Sequence, residues 1–173
     1  MDFYDIVYND LKIDYDSFAK ELGFKKILIL GKDISFSEKF SDNVAIGISS
    51  DIKTLKQFVQ HNVHAIVIKG SYIDKMLISM MHENNTILYL PLSDIMSAYN
   101  TERLKRIYYM KRLFEYTKSK KVNISFASFA SNNLYLTSAM QLIELAKLIG
   151  ADERYAKYSI STITKSLCDK YEK

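Results

Sequence analysis

Few residues in this chain are of a type that does chemistry. The three histidines are His61, His64 and His82, and the single cysteine is Cys168. His61 and His64 have ligand-like spacing, yet they fall on a helix-to-strand turn, and two histidines lack the third and fourth ligands that zinc sites use. One cysteine forms neither an intrachain disulfide nor a thiolate cluster, and a nucleophilic role would need a paired histidine that the charged C-terminal stretch around Cys168 does not supply. Gly31-Lys32-Asp33 follows an apolar run but lacks the Gly-x-x-x-x-Gly-Lys-Ser/Thr pattern of a phosphate loop and reads as an ordinary turn. Asp51 and Asp94 are candidate carboxylates for a hydrolase, with nothing in the sequence to set them side by side. No catalytic residue, metal site or cofactor is expected.

Charge is more informative. The chain of 173 residues carries a net +4. Between Asn100 and Lys121, eight basic residues (Arg103, Lys105, Arg106, Lys111, Arg112, Lys118, Lys120, Lys121) face two acidic ones (Glu102, Glu115), a local balance of +6. The rest of the chain therefore sums to −2, and the basic excess belongs to one segment. At about 100° per residue, Ile107, Met110, Leu113 and Phe114 share a core-facing arc. Lys105, Tyr108, Tyr109, Arg112 and Tyr116 gather opposite. A basic and aromatic face suits structured RNA, since Lys and Arg meet phosphates and Tyr stacks on unpaired bases; a solvated helix with a Lys-rich end is the plainer alternative. Arg103 and Arg106 lie in the first two turns, with Arg103 on the apolar arc, placed either to satisfy a carbonyl or carboxylate or to fix a phosphate bidentately.

The elements that hold this segment form an alternating series. Short apolar runs predict strands over Phe3 to Tyr8, Lys26 to Leu30, Val44 to Ile48, Ala65 to Ile68, Ile87 to Leu90 and Asn123 to Phe129. Helical periods predict Tyr15 to Leu22, Ile52 to Gln60, Ile73 to His82, Thr101 to Lys118, Ser138 to Ile149 and a stretch from Glu153 onward. Asp14 or Asp16, Asp51 and Asn100 are candidate N-caps, while Gly23 and Gly150 are stops. Uniformly apolar strands joined by helical crossovers imply an α/β fold with a parallel sheet covered on both faces. An open doubly wound sheet and a compressed (β/α) barrel both fit, because a full barrel takes about 250 residues. The absence of a Gly-x-Gly-x-x-Gly fingerprint favours the barrel. The length fits one domain spanning 1–173, and the lone cysteine, the lack of a secretion signal and the lack of a long apolar run predict a cytoplasmic protein without a membrane span.

Four stretches, read in order, resemble a known family. They are Leu90-Pro91-Leu92-Ser93-Asp94-Ile95-Met96; Arg103 to Leu113; Val122-Asn123-Ile124-Ser125-Phe126-Ala127-Ser128; and Ser138 to Gly150 leading into Glu153-Arg154-Tyr155-Ala156-Lys157. Together with the layout of the first half, they resemble the archaeal ribonuclease P protein component 3, related to the thirty-kilodalton subunit of the eukaryotic enzyme. The resemblance implies a compact TIM-like (β/α) barrel of the polymerase-and-histidinol-phosphatase type, with six to seven parallel strands. It also implies a protein subunit that binds ribonuclease P RNA, together with a small partner protein, and supports removal of the 5′ leader of precursor tRNA.

In such a barrel, chemistry sits at the C-terminal strand ends. Here those ends offer Tyr8 and Asn9, Gly31 and Lys32, Ser49 to Asp51, Lys69 and Gly70, Ser93 and Asp94, and Ser128 to Ser131. Catalytic barrels of the type open with a His-x-His after the first strand; this chain reads Asp5-Ile6-Val7-Tyr8-Asn9. The resemblance therefore implies a non-catalytic member whose RNA contacts are Lys69 and the eight basic residues of the 100–121 segment.

Overall fold

The structure is a computed structural model that describes residues 1–8, 14–70 and 73–171. The alternating pattern resolves into β1 (Tyr4–Tyr8), α1 (Tyr15–Glu21), β2 (Lys26–Leu30), β3 (Phe36–Ser37), β4 (Ile46–Ser49), α2 (Ile52–Gln60), β5 (Ala65–Ile68), α3 (Lys75–Glu83), β6 (Ile87–Pro91), α4 (Ser93–Met96) and α5 (Asn100–Ser119). There follow β7 (Ile124–Ala127), a 3-10 turn at Asn133–Tyr135, α6 (Ala139–Leu148), α7 (Glu153–Tyr158), a π-turn at Ser159–Ile163 and α8 (Thr164–Tyr171).

Local chemistry sets most boundaries. The side chains of Asp14, Asp51, Asp74 and Asp152 each accept a backbone N–H at a helix start, and Ser138 with Gln141 forms a reciprocal capping box. Gly23 and Gly150 follow their helices with φ of 79° and 106°, the left-handed conformation that satisfies the last carbonyls. The expected cap at Asn100 is not there: Asn100 opens α5 in the left-handed region, with φ of 48°, and Tyr99 precedes the helix without any side-chain cap bond. Two elements carried no periodic signal, β3 because it has two residues and α4 because it is one turn. The last helical stretch is broken because the Ser159 carbonyl is drawn into the sheet by Ser125 Oγ (2.8 Å) and also accepts from Thr164 Oγ1 (3.2 Å), which widens the turn.

All strand pairs are parallel. The order β3-β4-β5-β6-β7 makes one sheet, and β1-β2 makes a second of two strands. Isolated parallel bridges link Val7 to Ala130 and Leu30 to Ile34. Side chains alternate between two apolar layers, as the period of a strand requires. Val7, Ile29, Ile66, Leu88 and Phe126 pack beneath the helices, while Ile6, Leu28, Ile48, Val67 and Tyr89 form the opposite layer with Ile163 and Leu167. Gly47 is needed for this packing, since a Cβ there would lie 2.5 Å from the Phe58 ring of α2.

One buried charge ties the two sheets together. Asp5 on β1 is fully buried; its carboxylate accepts from Ser128 N and Ser128 Oγ, both at 2.6 Å, and from Ile6 N at 2.8 Å. Burial pushes its pKa up to about 6, against the opposing pull of the Ser128 hydrogen bonds. Next to it, Phe129 N donates to Ile6 O and Tyr8 N to Ala130 O, so β1 runs alongside the segment that follows β7.

Candidate nucleic-acid interface

Met110, Leu113, Phe114 and Thr117 anchor α5 to the core, with Ile107 half-buried against the same layer. The predicted opposite face is narrower than its helical pattern implied. Tyr109 and Tyr116 are also half-buried and pack on the core cluster, because a long tyrosine on the flank of a helix covers apolar surface beside it. Lys105, Tyr108, Lys111 and Arg112 remain exposed.

The basic residues occupy different settings. Lys105 lies 3.9 Å from Glu102, and Arg112 stacks over the Tyr108 ring at 5.8 Å. Arg106 Nη1 donates to the Asp94 carbonyl at 2.8 Å, and its Nε lies 3.6 Å from Glu102. Arg103 donates from Nε to Ala98 O (2.8 Å) and from Nη2 to Met96 O (3.4 Å), beside the Tyr99 ring. Both arginines thus hold the α4–α5 connection, the carbonyl-satisfying role that the sequence left open for Arg103. Lys118 turns to the other side of α5, 3.7 Å from Asp152 and over the rings of Phe114 and Tyr155. Lys120 lies over Tyr116, while Lys111 and Lys121 are exposed. The segment is continuous in sequence, but its cations do not share one face.

A groove runs beside Lys105, Arg106 and Arg112. It has a volume of about 680 Å³ and is closed opposite α5 by Ile73, just before α3. Farther along α5 it continues past Lys75, Glu115 and Tyr116. At its other end, sharing Glu102, Arg106 and Tyr109, it opens into a cleft of about 330 Å³ at the C-terminal ends of β5 and β6. Lys69, Gly70 and Asp94 line that mouth. Lys75 was missed as a candidate because it lies far from the basic segment in sequence; adjacency of β5 and β6 is what sets the two helices side by side.

The mouth has its own electrostatics. Burial raises the Asp94 pKa, opposed by Arg106 and Lys69. Tyr8 is also raised by burial, with Lys69 opposing. Burial pulls Lys69 down, but its hydrogen bond to Glu38 and the charges of Tyr8 and Glu38 outweigh that and raise it. Lys69 lies 5.8 Å from the Tyr8 ring centre and 2.5 Å from Glu38. Among the described residues the Asp94 carboxylate accepts no hydrogen bond, since Arg106 takes the main-chain carbonyl instead.

The other sequence candidates are placed as follows. His61 is exposed, with Nδ1 3.1 Å from Asp42, and His64 packs edge-on to Tyr171, its pKa lowered by burial. Cys168 is buried inside α8 and not in a solvated tail, because α8 folds its apolar side onto the strands. Asp51 caps α2, and Asp33 accepts from Ile29 N at 2.8 Å in an ordinary turn. Asn9 lies outside the described residues. Among the described residues no group of three His, Cys, Asp or Glu is placed to hold a metal ion.

No protein-family model matches the chain. Its fold is similar to that of a chain in the cryo-EM structure of archaeal ribonuclease P with mature tRNA, at TM-score 0.69 and 15% identity, covering 97% of this chain and 80% of that one. It is also similar to a prolidase complexed with N-methylphosphonate-L-proline (TM-score 0.54, 14% identity, 72% of this chain) and to a Xaa-Pro dipeptidase with bound methionine (0.53, 16%, 85%). The chain spans only 33% and 44% of those two proteins. At these identities the likeness is one of fold.

Proposed function

We propose that this chain is a protein subunit of ribonuclease P, of the archaeal protein component 3 type, which binds and supports the catalytic RNA as that RNA removes the 5′ leader from precursor tRNA. The observation that carries the reading is the fold likeness to a chain of archaeal ribonuclease P over nearly the whole of this chain. The groove with Lys75, Lys105, Arg106 and Arg112 supports it as a place for phosphates. The protein supplies counter-charge chiefly through Lys105, Arg106, Lys111 and Arg112, with Arg103, Lys120 and Lys121 beside them, while Lys118, turned to Asp152, and Lys69, paired with Glu38, contribute least, and the RNA performs the hydrolysis. Its partners are ribonuclease P RNA, a small RNase P protein and, within the complex, precursor tRNA. It works in the cytoplasm without a membrane, in keeping with the absence, among the described residues, of a helix long and apolar enough to cross one.

The same reading makes the two sheets one compact (β/α) barrel of the polymerase-and-histidinol-phosphatase type. Support comes from the bridges at Val7–Ala130 and Leu30–Ile34, which set β1 and β2 between the ends of the larger sheet, and from the inner layer, to which both sheets contribute. A barrel hydrolase is the second reading, favoured by the likeness to prolidase and dipeptidase. Reconstitution separates the two. Added to ribonuclease P RNA with the small partner, the chain should raise cleavage of precursor tRNA and bind the RNA with a salt-dependent affinity. Cleavage or peptide hydrolysis by the isolated chain with a stoichiometric divalent metal would overturn the first reading.

A further inference from the structure

The mouth cleft differs in kind from the groove that leads to it. Along the groove Lys75, Lys105, Arg106 and Arg112 outnumber Glu102 and Glu115, which favours phosphates. At the mouth each cation already faces a carboxylate, Lys69 with Glu38 and Arg106 with Glu102, and Asp94 adds another negative group. A phosphate is therefore better held in the groove than in the mouth. The floor of the mouth is apolar, formed by the buried Ile68, Leu90, Pro91 and Leu113, its rim carries Lys69, Asp94, Glu102 and Arg106, and Tyr109 stands at the edge shared with the groove. A cleft of about 330 Å³ with an apolar floor and one half-buried acceptor pair at its rim is suited to a base, which offers both an apolar face and hydrogen-bond donors, rather than to an ion.

We propose that this cleft is a base-reading pocket that takes a guanine from a single-stranded RNA segment lying in the α3–α5 groove, with the Asp94 carboxylate accepting from guanine N1–H and N2–H. The proposal rests on the RNA-binding reading of α5. Its chemistry follows from the acceptor inventory. An ionised carboxylate offers two acceptor oxygens, and among the described residues those of Asp94 accept no hydrogen bond. Guanine presents two adjacent N–H donors on its Watson–Crick edge. Adenine and cytosine present one amino donor beside a ring acceptor, which would set a lone pair against the second carboxylate oxygen. Uracil presents one N–H between two carbonyls. Bases splayed out of single strands are read on this edge in sequence-specific RNA recognition. Residues of the groove would hold the flanking phosphates, so selectivity and salt dependence come from different side chains.

The test uses the full chain and four labelled pentanucleotides that differ only at the centre: UUGUU, UUAUU, UUCUU and UUIUU, where inosine keeps N1–H but lacks the N2 amino group. Fluorescence anisotropy should show UUGUU bound about tenfold more tightly than UUAUU and UUCUU, the discrimination expected of a bidentate contact, with UUIUU between. Asp94→Asn should bring the four to within about twofold of one another without changing the salt slope. Because inosine removes one donor from the ligand, it tests the contact even if the variant does not fold. Equal binding of all four by the native chain overturns the pocket and leaves the RNA reading standing. Binding of none also overturns the pocket, while the RNA reading stands or falls by the reconstitution.

Discussion

The seam at Asp5 and the groove beside α5 both depend on charged side chains, and burial divides their work. At the seam one carboxylate is closed off from water and held by three hydrogen bonds from Ser128 and Ile6. In the groove Lys75, Lys105 and Arg112 are exposed and Arg106 is half-buried, and the contacts of Lys105 and Arg106 to Glu102 are long. A buried charge makes a structure specific at a cost in desolvation, whereas an exposed one contributes little to stability but remains available to a partner. Mutations at the seam should therefore change folding and leave RNA affinity intact, and mutations in the groove should do the reverse.

The largest expected effect is at the seam. Asp5→Ala strands the N–H and hydroxyl of Ser128 in the interior, and we expect it to lower unfolding free energy in urea by about 3 kcal/mol. RNA affinity of the fraction that remains folded should hold within about twofold; a parallel loss of affinity would break the comparison. The pH dependence sharpens it. The Asp5 pKa rises from 3.8 to about 6 on folding, so the native state binds this proton more tightly. Its contribution is fully present below the unfolded value, declines as pH rises from about 4 to about 6, and is then flat, a change of about 2–3 kcal/mol. Asp5→Asn should remove that decline from a series of urea melts, and an unaltered profile would show that another group is responsible.

In the groove, Lys105→Ala with Arg112→Ala should weaken RNA binding about five- to tenfold and flatten the salt slope by about one to two units, at an unchanged melting temperature. Arg103→Ala with Arg106→Ala should reduce the slope similarly, but it also releases carbonyls of the α4–α5 connection, so a stability loss of about 1 kcal/mol should accompany it in the same melts. The smallest effect is expected of Lys118→Ala, whose ammonium is turned toward Asp152: RNA affinity should change by less than about twofold. Charge reversal at the exposed Lys20 and Lys53 is the matched control, and it should also fall within about twofold. If Lys118 or the control matters as much as Lys105 and Arg112, the groove is not the RNA face.

Sequence alone determined what depends on neighbours in the chain. Apolar runs, capping aspartates and stop glycines gave the α/β alternation and the parallel sheet, because each is a local preference of backbone and side chain. The basic excess of the 100–121 segment was legible for the same reason, as was the absence of a His-x-His after β1. Tertiary structure decided the rest. The pairing of β5 with β6 set α3 beside α5 and so brought Lys75 to Arg112, residues that no spacing rule connects. The tertiary fold also turned Lys118 away toward Asp152, packed Tyr109 and Tyr116 onto the core, and left Asp94 half-buried at a mouth with an apolar floor and a charged rim. Asp5 reads in sequence as one polar residue in a strand; only the fold brings it to Ser128, 123 positions away, because hydrogen bonding and desolvation act between neighbours in space, whatever their order in the chain.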